Sequence, residues 1–209
     1  MKTAVIWDLD GTLFDSYGVI VDSIFQTFQE NAILMSMDEI HQHAINFSIR
    51  SLFKKVEGDW NVSAEFLHQR YGQISRDKYL DIVPMADAME TLRALSEKGV
   101  EHYVFTHRGK TTIPVLENLN MTDFFREILT SQSGFPRKPD PEAIVYLITK
   151  YGLDPEHTYY IGDRSIDMEC ASNAGINGIL FLPEGSIDVS GNRECAVVKH
   201  LLALTDLIK

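Results

Sequence analysis

Two aspartates, Asp8 and Asp10, follow directly on the apolar run Ala4-Val5-Ile6-Trp7, and Gly11 comes next. A short, partly β-branched run that stops at a glycine reads as a buried strand, so both carboxylates stand at a strand end. Two later runs end in polar groups of the same kind. "VEHYVFTHRG" delivers Thr106, then His107, Arg108 and Gly109. "HTYYIGD" delivers Gly162 and Asp163, with Asp167 one helical turn further on. The loop before "DPEAIVYL" holds Arg137 and Lys138. In an open α/β sheet, ligands bind beyond the carboxyl ends of the strands, and neighbouring parallel strands bring these groups to one mouth. Facing carboxylates cannot all stay ionised without a cation. Oxygen donors with no adjacent His or Cys suit a hard ion, which points to Mg²⁺. The Lys138 ammonium, the Thr106 hydroxyl and backbone N–H groups around residues 9–11 complete an anion pocket. A metal, an ammonium and N–H donors around one anion are what phosphoryl transfer requires.

Those groups need strands and helices in alternation to hold them. Further strand patterns are "NGILFLP" and the weaker "REILTS". Between them lie helical patterns: "DAMETLRALSEKG" with Met85, Met89 and Leu92 on one face, "DPEAIVYLITKYG" from an Asp140 cap to Gly152, "SIDMECASNAG" from Ser165 to Gly175, and a closing "VKHLLALTDLIK" with Leu201, Leu204 and Ile208 on one face. Strands alternating with helices predict an α/β, doubly wound, parallel-sheet core of Rossmann-like type. Residues 16–80 break that rhythm. They read as helices at 18–31, 37–45, 48–56 and 63–79, with Ser36 and Glu39 forming a capping box. The expected organisation is a core of 1–15 and 81–209 with an all-helical cap domain of 16–80 inserted.

The chain has 209 residues, 44% hydrophobic and 23% charged, and a net charge of −11. That is the composition of a soluble globular protein. The acidic surface disfavours nucleic-acid phosphates. Two distant cysteines, Cys170 and Cys195, make neither a disulfide framework nor a zinc site and suit a reducing compartment. No segment approaches the ~20 apolar residues of a membrane span. The opening "MKTAVIWDLDG" is too short in apolar residues for a signal peptide. A cytoplasmic protein, monomeric or homodimeric, is expected.

"DLDGTLFDS", Thr106, Lys138 in "RKPDP" and "GDRSID" together resemble the four motifs of the haloacid dehalogenase superfamily of phosphohydrolases, in the family's order. The helical insert resembles the family's helical cap, and "KPDP" resembles the phosphoglycolate phosphatase and β-phosphoglucomutase branch. The resemblance implies that Asp8 is the nucleophile and a metal ligand. Asp10 would protonate the leaving oxygen, then activate water, its carbonyl binding the metal. Thr106 and the N–H of His107 would hold phosphoryl oxygens, and Lys138 would neutralise charge. Asp163 would ligate the metal directly, and Asp167 would bind a metal water or orient Lys138. Asp15 would anchor the linker into the cap. A halide leaves without a proton whereas an alkoxide does not, so Asp10 points to phosphate esters. The implied enzyme is a Mg²⁺-dependent phosphatase for a small phosphorylated metabolite such as phosphoglycolate or a sugar phosphate. Two other readings share these residues: a phosphomutase of the β-phosphoglucomutase type, and a regulatory protein that binds phosphate without turnover.

Taken singly, each of these residues has a plain structural reading. An Asp-x-Asp-Gly stretch is a common solvated turn. A lysine is usually a surface charge, and a strand threonine is usually just that. His41 and His43 are two apart on a helix and face different ways, so they do not share a metal. Arg50 in "NFSIRSLFKK" is the insert residue expected to meet substrate, with a surface arginine the competing reading. Phe25, Phe28 and Phe66 are expected to fill the cap core, and the cysteines to be core fillers.

Overall fold

A computed structural model describes residues 2–183 and 195–208. In chain order its elements are β1 (Ala4–Trp7), β2 (Phe14–Asp15), α1 (Tyr17–Glu30), α2 (Met37–Asn46), α3 (Ile49–Trp60), α4 (Ala64–Lys78), β3 (Val83–Pro84), α5 (Ala88–Glu97), β4 (Glu101–Phe105), α6 (Thr112–Asn118), β5 (Phe125–Leu129), α7 (Glu142–Tyr151), β6 (Thr158–Gly162), α8 (Ser165–Ala174), β7 (Asn177–Phe181), β8 (Ala196–Val198) and α9 (Leu204–Leu207). The contacts divide the chain into two compact units, one of Met1–Asp15 with Pro84–Lys209 and one of Ser16–Val83.

The first unit is an α/β, doubly wound domain. Its sheet runs β5-β4-β1-β6-β7-β8, with every neighbouring pair parallel. From β1 the chain winds outward through β4 and β5, then returns to β6 on the other side. The order reverses beside β1, and there an open sheet leaves its crevice. All four β1 side chains are fully buried, as a strand covered on both faces requires. On one face, Ala4, Ile6, Tyr103, Phe105 and Tyr160 pack with Ala143, Ile144 and Leu147 of α7 and with Cys170 and Ala171 of α8. Helix α7 ends on Gly152 and α8 on Gly175, both left-handed at their C-caps.

Trp7 is the largest residue of β1, and its indole needs a hydrogen-bond partner inside the core. His102 on β4 supplies one: Trp7 Nε1 donates to its Nδ1 at 3.0 Å, and His102 is itself only 2% exposed. Burial pushes the His102 imidazole down to about 4.

The second unit is all-helical, α1 to α4. Its core is Ile20, Val21, Ile24, Phe28, Ile33, Ile40, Leu52, Phe53, Val56, Ala64 and Leu67. Ser36 and Glu39 form the expected capping box, and Ser63 caps α4 through the Phe66 N–H. His43 pairs with Ser51 while the His41 ring lies against Tyr17, so the two histidines part company.

Four details differ from the sequence reading. Phe66 is half exposed, because position N3 of α4 points it away from the helical core. Met85 lies outside α5, since its N–H donates to the Leu13 carbonyl at 2.9 Å and the helix starts only after a left-handed Asp87. The helical unit continues to Val83 rather than ending at 80, as a 3-10 turn at Tyr79–Asp81 follows α4. The closing segment is not one helix: β8 takes Val198, a 3-10 turn takes Leu201–Ala203, and α9 is one short turn. Leu201, Leu204 and Ile208 are nonetheless all fully buried, while Lys209 lies outside the described residues.

Trp7→Phe is expected to lower unfolding free energy by about 1–3 kcal/mol, since a buried acceptor loses its donor. Trp7→Phe with His102→Leu should recover part of that loss in urea titrations. His102 also sets a pH dependence. In the unfolded chain its imidazole titrates near about 6.5, so the unfolded state takes up the proton first as pH falls. Stability should therefore drop as pH falls through the window from about 6.5 to about 4, by about 3 kcal/mol at most. His102→Leu should flatten that window relative to the parent protein.

Candidate active site

Parallel registry sets the height of each functional group. Trp7 is level with Val104 of β4 and Ile161 of β6. The Asp8 N–H still donates to the Ile161 carbonyl at 2.9 Å, so Asp8 continues the ladder one step beyond β1. Thr106 and Asp163 are the first residues past β4 and β6. The chain then turns sharply: the Leu9 carbonyl accepts from Thr12 and Phe14, and Gly11 sits at a φ of 79°, which disfavours other residues. This turn keeps Asp8 and Asp10 at the sheet rim.

Lys138 is drawn inside. Its ammonium lies 3.0 Å from an Asp8 oxygen and 2.8 Å from an Asp167 oxygen, with its side chain only 2% exposed. The rings of Phe105 and Tyr160 wall it at 5.4 and 5.1 Å. Tyr160 is fixed by its own hydroxyl, which donates to the Phe105 carbonyl at 2.8 Å. Burial alone would lower the Lys138 pKa, but the Asp167 and Asp8 carboxylates outweigh it and keep the lysine charged. Burial pushes the Asp8 carboxyl up to about 6; Lys138 opposes this, and Asp167 and Asp10 add to it. One ammonium does not satisfy so many facing acids.

Asp8, Asp163 and Asp167 are all buried and offer oxygens within 4.8 Å of one another. Among the described residues no histidine or cysteine joins that set, so the donors fit a hard divalent cation. Asp167 is oriented from both sides: one oxygen accepts from Lys138, the other from the Arg164 N–H at 3.1 Å. It packs directly on Gly162, where an added Cβ would come within 2.4 Å of the Asp167 carboxyl carbon. Glycine at 162 is thus a clearance requirement.

From Thr106 on, three successive side chains, Thr106, His107 and Arg108, enter the contacts around the site. Thr106 is 1% exposed, and its hydroxyl oxygen accepts from the Arg108 N–H at 3.2 Å. The His107 ring accepts the Lys138 backbone N–H on Nε2 at 2.8 Å. Burial, with the Lys138, Arg137 and Arg164 charges, holds this imidazole far below its usual range and therefore neutral. The ring thus braces the lysine loop, a role the sequence reading did not foresee. The Asp10 carboxylate stands apart from the acidic trio and meets the Arg108 guanidinium instead. Arg50 lies at the start of α3 in the helical unit and is exposed.

A profile of the haloacid dehalogenase-like hydrolase family matches residues 5–181. The chain belongs to this family. Among haloacid dehalogenase-like relatives, a phosphoglycolate phosphatase of Aquifex aeolicus is 26% identical over 85% of this chain and 84% of its own. The pyrophosphatase PpaX of Bacillus velezensis is 25% identical over 90% of this chain and 88% of its own. A haloacid dehalogenase-like hydrolase structure from Streptococcus pneumoniae superposes with a TM-score of 0.86 at 22% identity, over 100% of this chain and 99% of its own. That likeness is one of fold. Among the described residues, no helix is long and apolar enough to cross a membrane.

Gly162→Ala is expected to push Asp167 out of place and weaken Mg²⁺ binding about tenfold or more by titration calorimetry. Unchanged affinity would show that Asp167 does not depend on this clearance.

Proposed function

We propose that the protein is a Mg²⁺-dependent phosphatase that hydrolyses a small phosphorylated metabolite through an aspartyl-phosphate on Asp8. The observation that carries this reading is the buried Lys138 ammonium beside Asp8, with the Thr106 hydroxyl at the neighbouring strand end. The relatives named as phosphatases support it. Asp8, Asp163 and Asp167, with the Asp10 carbonyl, would hold the cation. When bound, it would screen the carboxylates and draw electron density from the phosphoryl group.

The chain's own residues do the rest. Asp8 attacks phosphorus as the bond to the ester oxygen breaks, and the departing oxygen takes a proton from the Asp10 carboxyl. Water then attacks the phosphorus and gives its proton to Asp10. The bond to Asp8 breaks, and inorganic phosphate and free Asp8 are restored. The Thr106 hydroxyl and the His107 N–H hold phosphoryl oxygens, and Lys138 balances their charge. The chain's two distant cysteines, Cys170 and Cys195, suit a reducing, cytoplasmic setting.

Purified protein should release phosphate from p-nitrophenyl phosphate and from at least one member of a metabolite panel that includes phosphoglycolate. Chelation should stop turnover and Mg²⁺ should restore it. Asp8→Asn should lower kcat by about 10³-fold or more while melting like the parent. Glucose 6-phosphate formed from glucose 1-phosphate would instead favour a mutase. Silence over the whole panel would favour phosphate binding without turnover.

A further inference from the structure

We propose that Arg108 is a positioning residue for Asp10, holding one carboxylate oxygen as an anchor and leaving the other for proton transfer. This rests on the phosphatase reading above.

Arg108 is held on every side. Its own N–H binds Thr106 Oγ1 at 3.2 Å, and its carbonyl accepts from the Ser131 N–H at 3.1 Å. In the side chain, Nη1 donates to Thr111 Oγ1 at 3.0 Å, and the guanidinium lies 5.9 Å from the Phe14 ring centre. Only 8% of the side chain is exposed, so this is no solvated surface pair. A planar guanidinium clasped at both ends presents its remaining edge in one direction. That edge meets Asp10.

The contact is lopsided. Asp10 Oδ1 receives Nη2 at 2.5 Å and Nε at 3.0 Å. Oδ2 receives only the shared Nε, at 3.1 Å. Oδ1 is saturated by the fork, whereas Oδ2 keeps room for a proton. A carboxyl that gives and retrieves a proton at Oδ2 need not leave Arg108. Without the arginine, the Asp10 side chain would lose its hold: the turn fixes only its backbone, Asp8 two residues away carries a like charge, and the side chain is 24% exposed, with water available. Repulsion would turn it outward. The backbone bond to Thr106 also ties the arm that orients Asp10 to the residue assigned to the phosphoryl group.

The test uses two esters of similar size. Benzyl phosphate expels an alkoxide that needs a proton, whereas p-nitrophenyl phosphate expels a phenolate that hardly does. The parameter kcat/KM ends at formation of the aspartyl-phosphate, so it reports Asp10 as acid alone. Arg108→Gln should lower kcat/KM for benzyl phosphate about tenfold or more and for p-nitrophenyl phosphate by less than about threefold. Arg108→Lys, which keeps the charge without the fork, should shift the ratio in the same direction, and it stands in if the glutamine variant does not fold. Adding Arg108→Gln to Asp10→Asn should cost nothing further on benzyl phosphate, because the arm then has no acid to orient. Equal losses on both esters, an unchanged ratio, a gain in rate, or an additive double variant would each overturn the proposal. A parent protein inactive on both esters would fail the phosphatase reading itself. An active parent with an unaltered ratio would fail only the role of Arg108.

Discussion

One buried positive charge organises the first unit. Lys138 has two carboxylates within 3.0 Å and two aromatic faces around its ammonium. A charge this deep is tolerated only while its partners stay in place, and removing one partner from such a pair costs about 3–5 kcal/mol. Asp8 must therefore stand at the end of β1, Asp167 must lean over Gly162, and the Lys138 loop must reach inward between β4 and β6. The order of strands follows from the same need, because only a reversal of winding beside β1 opens a mouth where three chain segments can meet.

Most of this frame was legible in the sequence because it is written in local patterns. Apolar runs ending at Asp8, Thr106 and Asp163 marked three strands and their ends, and the caps at Ser36 and Gly152 marked helices. Contacts between distant segments were not legible. "THRGK" displayed an imidazole and a guanidinium beside Thr106, yet nothing nearby in the chain says that His107 would turn to the Lys138 backbone and Arg108 to Asp10. Trp7 read only as part of an apolar run, and nothing near it in the chain points to His102 as its acceptor. Phe66 failed for a related reason. Helical periodicity describes a stripe, but the first turn of α4 lies at its margin and leaves the ring in water. The closing segment misled because Leu201, Leu204 and Ile208 keep helical spacing while a 3-10 turn and a short helix share the work of burying them.

Charge is distributed against the average. The chain carries a net −11, yet Lys138, Arg137 and Arg164 all lie close enough to act on His107, and Arg108 stands next to it. These cations stand among four aspartates of the same rim, Asp8, Asp10, Asp163 and Asp167, so the charge an anion meets there is mixed rather than uniformly negative. The histidine at its centre stays uncharged, so it can brace the lysine loop without adding to the repulsion among the cations.

The placement of β1 also bears on how the protein comes into being. This strand precedes both of its neighbours, which pair with it at Glu101 and Thr158, far down the chain. Between them lies a helical segment with a complete core of its own, rich in short-range contacts that form early. During translation, then, Asp8 is made well before the strands that come to flank it. The four apolar residues ahead of it stay unpaired until those strands follow, an exposed run of the kind that chaperones cover.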